Sequence, residues 1–336
     1  MGFELILPFL RPIEPLLLDD GISEIMGNPD GSWWSERDGT LHREGDISFD
    51  RTKLLTGLEV IANHLGKRLD EDNPRLQAQL PDGSRLAAWI PPLVMPAPAL
   101  AIRKFTSRHF TMDELIDRGT ITTRLAGFLR NEIRIGKTLL ISGGTGTGKT
   151  TLLRILADAI PDYERIVVIE DTPELQIIKP NIVPVGSQTN TFKAPVSFDD
   201  LLRDALRFRP DRIILGEMRG VEARTLLDSF NTGHSGSLTT IHANSSAKAL
   251  TRFANLVMRS HAQTTYSDTE AEIGECVDYV VHVERKQGVR VVQEVLAING
   301  YDRMAQRFKC EVVFNADSTS DLSHNPTEKD TNYAIA

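Results

Sequence analysis

Cysteine is nearly missing from this chain of 336 residues: Cys276 and Cys310 are the only two. Two distant thiols exclude a disulfide framework and a four-cysteine zinc site, and such usage fits a reducing compartment. Long apolar runs are missing as well, since no stretch approaches the roughly 18 residues that span a bilayer. The short run Leu5-Ile6-Leu7-Pro8-Phe9-Leu10 follows Glu4 and precedes Arg11. It lacks the basic start and long apolar centre of a secretory signal. A cytoplasmic protein is expected, and docking on a membrane face stays compatible because it needs no spanning helix. Positive charge is not in excess: 38 Lys and Arg against 46 Asp and Glu leave a net charge of −8. That excludes a wholly basic, polyanion-binding surface but not a local basic patch. Hydrophobic residues make up 40% and charged residues 25%, an ordinary globular composition. At about 150 residues per domain the length predicts two domains, with a core large enough to need no covalent staple.

The first part of the chain reads as a small α+β unit, residues 1–95. Asn28-Pro29-Asp30-Gly31 is a turn signal. Leu54, Leu58, Ile61, Ala62 and Leu65 share one helical face, and Gly66 stands where that helix should stop. Leu76–Leu80 and Arg85–Ile90, separated by Pro81-Asp82-Gly83-Ser84, predict a hairpin. Four prolines between Pro91 and Pro98 suit neither a central strand nor a helix interior. A linker is therefore expected over 96–110. Thr111-Met112-Asp113-Glu114 is a capping box that starts the second domain, 111–314. There, strand-like runs at 138–142, 165–169, 212–215, 237–241 and 278–283 alternate with helical stretches at 150–159, 198–208, 221–230 and 246–258. Such alternation predicts an α/β domain whose parallel-rich sheet has helices on both faces. Ligands of such sheets sit at the carboxyl ends of the strands. The polar stretch 315–336 is expected not to fold.

Four segments carry chemistry. Gly143-Gly144-Thr145-Gly146-Thr147-Gly148-Lys149-Thr150 matches the phosphate-binding loop pattern in full and stands between a strand and a helix. Glycines let backbone N–H groups wrap phosphates, and the helix start adds a favourable dipole. Lys149 is expected on the β- and γ-phosphates of ATP and the Thr150 hydroxyl on Mg²⁺, with Thr151 beside them. Glu170-Asp171-Thr172-Pro173-Glu174 ends the next strand, so Asp171 and Glu174 are candidates for ordering Mg²⁺. The plainer alternative is an acidic loop cap. Arg212-Ile213-Ile214-Leu215-Gly216-Glu217 is an apolar strand ending in an acid, but Gly216 occupies the usual Asp place. An acid one place later suits polarising water better than ligating metal, so Glu217 is the candidate general base. Its alternative is a solvated strand-end Glu. The fourth segment is Thr232-Gly233-His234-Ser235-Gly236, followed by Ser237-Leu238-Thr239-Thr240-Ile241-His242. A zinc pair is disfavoured by the spacing of the two histidines and the lack of nearby cysteines. His242, at a strand end, is the candidate γ-phosphate contact, with a structural histidine as the alternative.

These four boxes, in this order, resemble the secretion ATPase superfamily: a Walker A loop, an acidic box, an atypical Walker B ending in Gly216-Glu217, and a histidine box. Leu206-Arg207-Phe208-Arg209-Pro210-Asp211 running into Glu217-Met218-Arg219-Gly220, then Asn231-Thr232-Gly233-His234, is similar to the VirB11-like branch. Glu24-Ile25-Met26-Gly27-Asn28-Pro29-Asp30-Gly31 resembles the N-terminal domain of the conjugative TrbB proteins. The resemblance covers about residues 15 to 300. It implies a RecA-like domain, a homohexameric ring and ATP hydrolysis that powers type IV secretion or conjugative transfer of protein or nucleoprotein cargo. It also implies partners among inner-membrane secretion components. Arg85 and Arg103 match positions where the family's N-terminal domain approaches nucleotide; surface arginines are the alternative. Arg207, Arg209 and Arg219 are open between phosphate or acidic-box contacts and structural ion pairs. A pilus-retraction-type motor of the same superfamily and a RecA-like nucleic-acid translocase are the runner-up functions. The acidic balance weighs mildly against the translocase.

Overall fold

A computed structural model describes residues 7–37, 39–45, 47–105, 110–171, 174–186, 196–260, 264–286 and 288–318. Among these the chain forms two compact units, one ending at residue 105 and one beginning at 110. The fold class is α/β.

The first unit opens with a 3-10 turn, Leu7–Ile13, and the short helix α1, Glu14–Leu18. Strands β1 Ile22–Gly27, β2 Trp33–Arg37 and β3 Thr40–Glu44 come next, then helix α2 Arg51–His64. Strands β4 Arg75–Gln79, β5 Arg85–Trp89 and β6 Ala99–Arg103 complete it. All pair antiparallel in the order β3-β2-β1-β6-β5-β4. Asp50 caps α2 by accepting from the Lys53 N–H, and Gly66 just beyond its end has φ +69. Leu54, Leu58 and Ile61 of α2 are buried with Ile25, Leu86 and Ile102 from alternate strand positions.

Residues 99–103, expected inside the linker, are instead a central strand flanked by β1 and β5. Ala-Leu-Ala-Ile-Arg alternates at period two, burying Leu100 and Ile102; the prolines beside it obscured that signal. Residues 106–109 of the expected linker lie outside the described residues.

The second unit begins with α3 Met112–Asp117, closed at its start by the Thr111/Glu114 capping box, and α4 Thr123–Arg134. Then come β7 Leu139–Gly143, α5 Lys149–Ala157, β8 Ile166–Glu170, β9 Ile182–Gly186, α6 Phe198–Ala205, β10 Arg212–Leu215 and α7 Glu222–Asn231. β11 Leu238–His242, α8 Ser246–Met258, α9 Tyr266–Cys276, β12 Tyr279–Lys286, β13 Val289–Asp302 and β14 Arg307–Asn315 follow. The sheet runs β14-β13-β12-β7-β11-β10-β8-β9. β12 through β9 are parallel, while β13 and β14 add an antiparallel edge. β7, β8 and β10 are buried at every position, because helices cover both faces. Leu139 and Ile141 face α4 and α5, whereas Leu140 packs with α7 and α8. Each fully buried Leu or Ile here contributes about 1.5–3 kcal/mol.

The expected helix 198–208 is α6 plus a 3-10 turn, Leu206–Phe208. The first residues of the stretch expected not to fold are ordered: Asn315 ends β14, the Ala316 N–H donates to Gln293 O at 2.9 Å, and Asp317 pairs with Lys286 at 2.7 Å. Residues 319–336 lie outside the described residues. Among the described residues no helix is long and apolar enough to cross a membrane.

Candidate active site

The parallel strands bring four carboxyl ends to one sheet edge. Gly143 ends β7, and His242, ending β11, is its register partner. Glu170 ends β8, and Leu215, ending β10, lies opposite Ile169 and Thr239, so Glu217 leaves the sheet between β8 and β11. Three of the four sequence boxes are thus joined to the phosphate-binding loop by strand order alone.

The loop is shaped for an anion. Gly148 is the N-cap of α5 with φ +90, and no side chain caps the helix. By contrast, α2, α3, α4, α6, α8 and α9 are capped by Asp50, Thr111, Thr122, Ser197, Ser245 and Thr265. The first N–H groups of α5 are therefore left to a ligand at the positive end of the helix dipole. Thr150 and Thr151, half-buried, stand on its first turn, Thr145 and Gly146 are exposed at the loop tip, and Thr147 is buried with its hydroxyl donating to Gly144 O at 3.0 Å. Lys149 is buried and folds back along the loop, its Nζ donating to Gly144 O at 2.6 Å.

From Lys149 a chain of polar contacts runs across the sheet edge. Nζ lies 3.3 Å from His242 Nδ1, and His242 Nε2 lies 3.1 Å from Glu217 Oε1. An ammonium only donates, so Nδ1 accepts and Nε2 carries the hydrogen that binds Glu217. Burial and the Lys149 charge hold His242 below the ordinary histidine range, which keeps this neutral tautomer. Glu217 in turn accepts from Arg219 Nη2 at 2.8 Å, and Arg219 Nη1 reaches Asp171 at 3.7 Å. Burial pushes the Glu217 carboxyl up, but the Arg219 hydrogen bond, with Arg219, His242 and Lys149 charge, outweighs it, so Glu217 stays below the usual carboxylate range. It is a charged acceptor, half-buried and fixed in direction.

The acidic box is divided. Glu170 turns inward, only 7% exposed, and its Oε1 accepts the N–H groups of Glu174 and Leu175 at 3.0 Å each. It shapes the loop from which Asp171 and Glu174 act on the Arg219 charge. Thr172 and Pro173 lie outside the described residues. Arg219 therefore joins the acidic box to Glu217, while Arg207 sits 4.0 Å from Asp204 on the surface. His234 lies at the opposite end of the sheet, its ring 3.0 Å from Pro210 O; it is a structural histidine. Glu170 and Arg290 also shape this site, in roles that no local pattern announces. Arg290 of β13 donates to Gly146 O at 3.1 Å, and no local motif marks it.

In the first unit, Arg85 and Arg103 are direct register partners across β5 and β6, with Glu24 of β1 3.8 Å from Arg103. The Glu24 carboxylate offsets part of the repulsion between these like charges.

A model of the type II/IV secretion system protein family matches residues 10–317. The conjugal transfer protein TrbB of Rhizobium radiobacter is 38% identical over 291 residues, covering 84% of this chain and 86% of that protein. The type IV secretion system protein VirB11 of Bartonella quintana is 32% identical over 342 residues, covering 90% and 94%. The crystal structure of the pilus retraction motor PilT with bound ADP is similar in fold, with a TM-score of 0.60 and 19% identity over 90% of this chain and 85% of that one. Sheet order, box order and these likenesses agree: the chain belongs to the type II/IV secretion system protein family, in its VirB11-like type IV branch.

Proposed function

We propose that this chain hydrolyses ATP as a homohexameric motor and thereby drives type IV secretion or conjugative transfer of protein or nucleoprotein cargo. The observation that carries the reading is the contact chain Lys149–His242–Glu217–Arg219–Asp171 at the open edge of the sheet. Lys149 turns from Gly144 O to the β- and γ-phosphates, and the uncapped N–H groups of α5 hold the anion. That rotation takes the hydrogen bond from His242 Nδ1, so His242 registers whether the γ-phosphate is present. Glu217, held on both oxygens by His242 and Arg219, orients the attacking water. Arg85 and Arg103, register partners on β5 and β6, are further candidates to bind the phosphates of ATP.

Thr150, Asp171 and Glu174 would supply oxygen donors to Mg²⁺. Among the described residues no group of three acids, histidines or cysteines is gathered to cage a metal. That fits Mg²⁺, which keeps its waters and binds through one or two protein groups and the substrate phosphates. When bound, it neutralises charge on the β- and γ-oxygens. The working place is the cytoplasmic face of the inner membrane, beside the membrane components of the secretion system.

The test is single-turnover ATP cleavage and ATP affinity across a Mg²⁺ titration. Glu217→Gln should bind ATP and cleave it about 10²-fold more slowly or worse. Lys149→Ala should lose turnover with the fold intact, and Glu174→Gln should raise the Mg²⁺ requirement. Normal cleavage by Glu217→Gln would remove Glu217 from its role.

A further inference from the structure

The segment between β10 and α7 carries both Glu217 and Arg219, and few bonds determine its course. The Met218 N–H donates to Thr240 O at 2.9 Å, and the Met218 side chain is buried. Beyond it, Glu222, the first residue of α7, turns back over the loop. Its Oε1 accepts the Arg219 N–H at 2.6 Å and the Gly220 N–H at 2.7 Å. The residue is 5% exposed, so this is a buried carboxylate whose two bonds are charge-assisted and short. The N-cap of α7, Val221, supplies no side-chain cap, so the carboxylate also meets the positive end of the helix dipole. The peptide that Glu222 grips carries Arg219, whose guanidinium lies between Glu217 and Asp171.

We propose that Glu222 is a positioning residue for hydrolysis: it fixes the backbone of Arg219 so that the guanidinium holds the Glu217 carboxylate on the attacking water. The proposal rests on the role given to Glu217 above. A misplacement of about 1 Å at such a site costs up to about 10²-fold in rate. A carboxylate that only caps α7 would influence stability and leave the rate alone.

The experiment measures kcat, KM for ATP and melting temperature for the full chain and for Glu222→Ala, Arg219→Ala, the double variant, Glu222→Gln and Gly220→Ala. In Glu222→Ala, kcat should fall about tenfold with KM changed by less than about twofold, the sign of an interaction needed after binding. The double variant should be no slower than the slower single variant, because both act through one guanidinium. Glu222→Gln, whose amide oxygen can accept both N–H groups, should keep most of the rate. Gly220→Ala serves if Glu222→Ala does not fold: its new Cβ would sit 3.0 Å from Glu222 Oε2, so the carboxylate must shift by a few tenths of an ångström against the loop. Wild-type kcat in Gly220→Ala and in any folded Glu222→Ala, or losses that multiply in the double variant, would overturn the proposal. A wild-type chain with no turnover at all would instead overturn the reading of Glu217, and this one with it.

Discussion

Replacing Arg212 with methionine should destabilise the second unit without touching the chemistry. Arg212 begins β10 and is 3% exposed. Its guanidinium pairs with Glu164 ahead of β8, donates to Gly236 O ahead of β11 at 2.9 Å, and donates to Ile133 O at the end of α4 at 3.2 Å. One side chain thus ties together three connections at the end of the sheet remote from the ligand. Methionine matches the aliphatic stem of arginine but ends near the Nε position, so the substitution removes the charge and its donors while keeping the stem. Glu164, with its side chain 15% exposed, would keep a charge without its partner, and two carbonyls would lose a donor. Removing one member of a buried pair costs about 3–5 kcal/mol, and the residual exposure of Glu164 places this case near 3. For a unit of this size about 2–4 °C is lost per kcal/mol, so the melting temperature should drop by about 6–12 °C. Adding Glu164→Gln to Arg212→Met should recover a large part, since no charge is then stranded. Gly236→Ala offers an independent blow: Gly236 has φ +78, and a Cβ there would land on the Arg212 guanidinium. Calorimetry at two scan rates measures the drop. ATP affinity at low temperature should not change, because five residues of extended chain place Glu217 about 15 Å away. A melting temperature within 2 °C of wild type for Arg212→Met, judged against the 6–12 °C expected from this scaling, would refute the reasoning.

Two further outcomes follow from the geometry. His282, buried on β12 beside β7, has its Nδ1 2.9 Å from Ser142 Oγ, and burial holds it below the ordinary 6.5, with Lys149 adding to the shift and Glu284 opposing it. The unfolded chain then takes the proton first, so this contribution is whole above pH 6.5 and shrinks as pH falls below it. The urea midpoint should therefore fall more steeply between neutral and mildly acidic pH in wild type than in His282→Asn; equal slopes would refute it. Arg85→Ala with Arg103→Ala should weaken ATP binding about tenfold or more, the scale of one charge-assisted bond. Unchanged affinity in the paired variant would leave these arginines as surface charges.

Much of this site was legible in the sequence because its parts are local. A phosphate-binding loop needs glycines, a lysine and a hydroxyl in eight consecutive residues between strand and helix, and Gly143–Thr150 states that directly. Glu217 and His242 could be named because each ends an apolar run, and in a parallel sheet such ends share an edge. Capping residues such as Thr111 and Ser245 act within four residues, so the helix starts were readable too. Strand Ala99–Arg103 was not, since prolines dominate its surroundings and one of its two pairing partners, β1, lies far back in the chain.

Roles that depend on distant partners belonged to the tertiary structure. The acidic box offered three carboxylates alike in sequence; only packing turned Glu170 inward onto the loop amides and left Asp171 and Glu174 to face Arg219. His242 was named from its strand end, but its contact with Lys149, and the seat of His234 at Pro210, came only with the packed sheet. Arg219 read equally as phosphate contact or ion pair, and its place between Glu217 and Asp171 required β8 and β10 to lie side by side. Glu222 and Arg290 carried no signal, because what they hold is backbone, and backbone looks the same in every sequence. Local propensity and spacing determine which groups exist and where elements begin. Which of several like charges is buried, paired or left for substrate is decided by burial and by the neighbours that strand order supplies, since both set the energy of a charge.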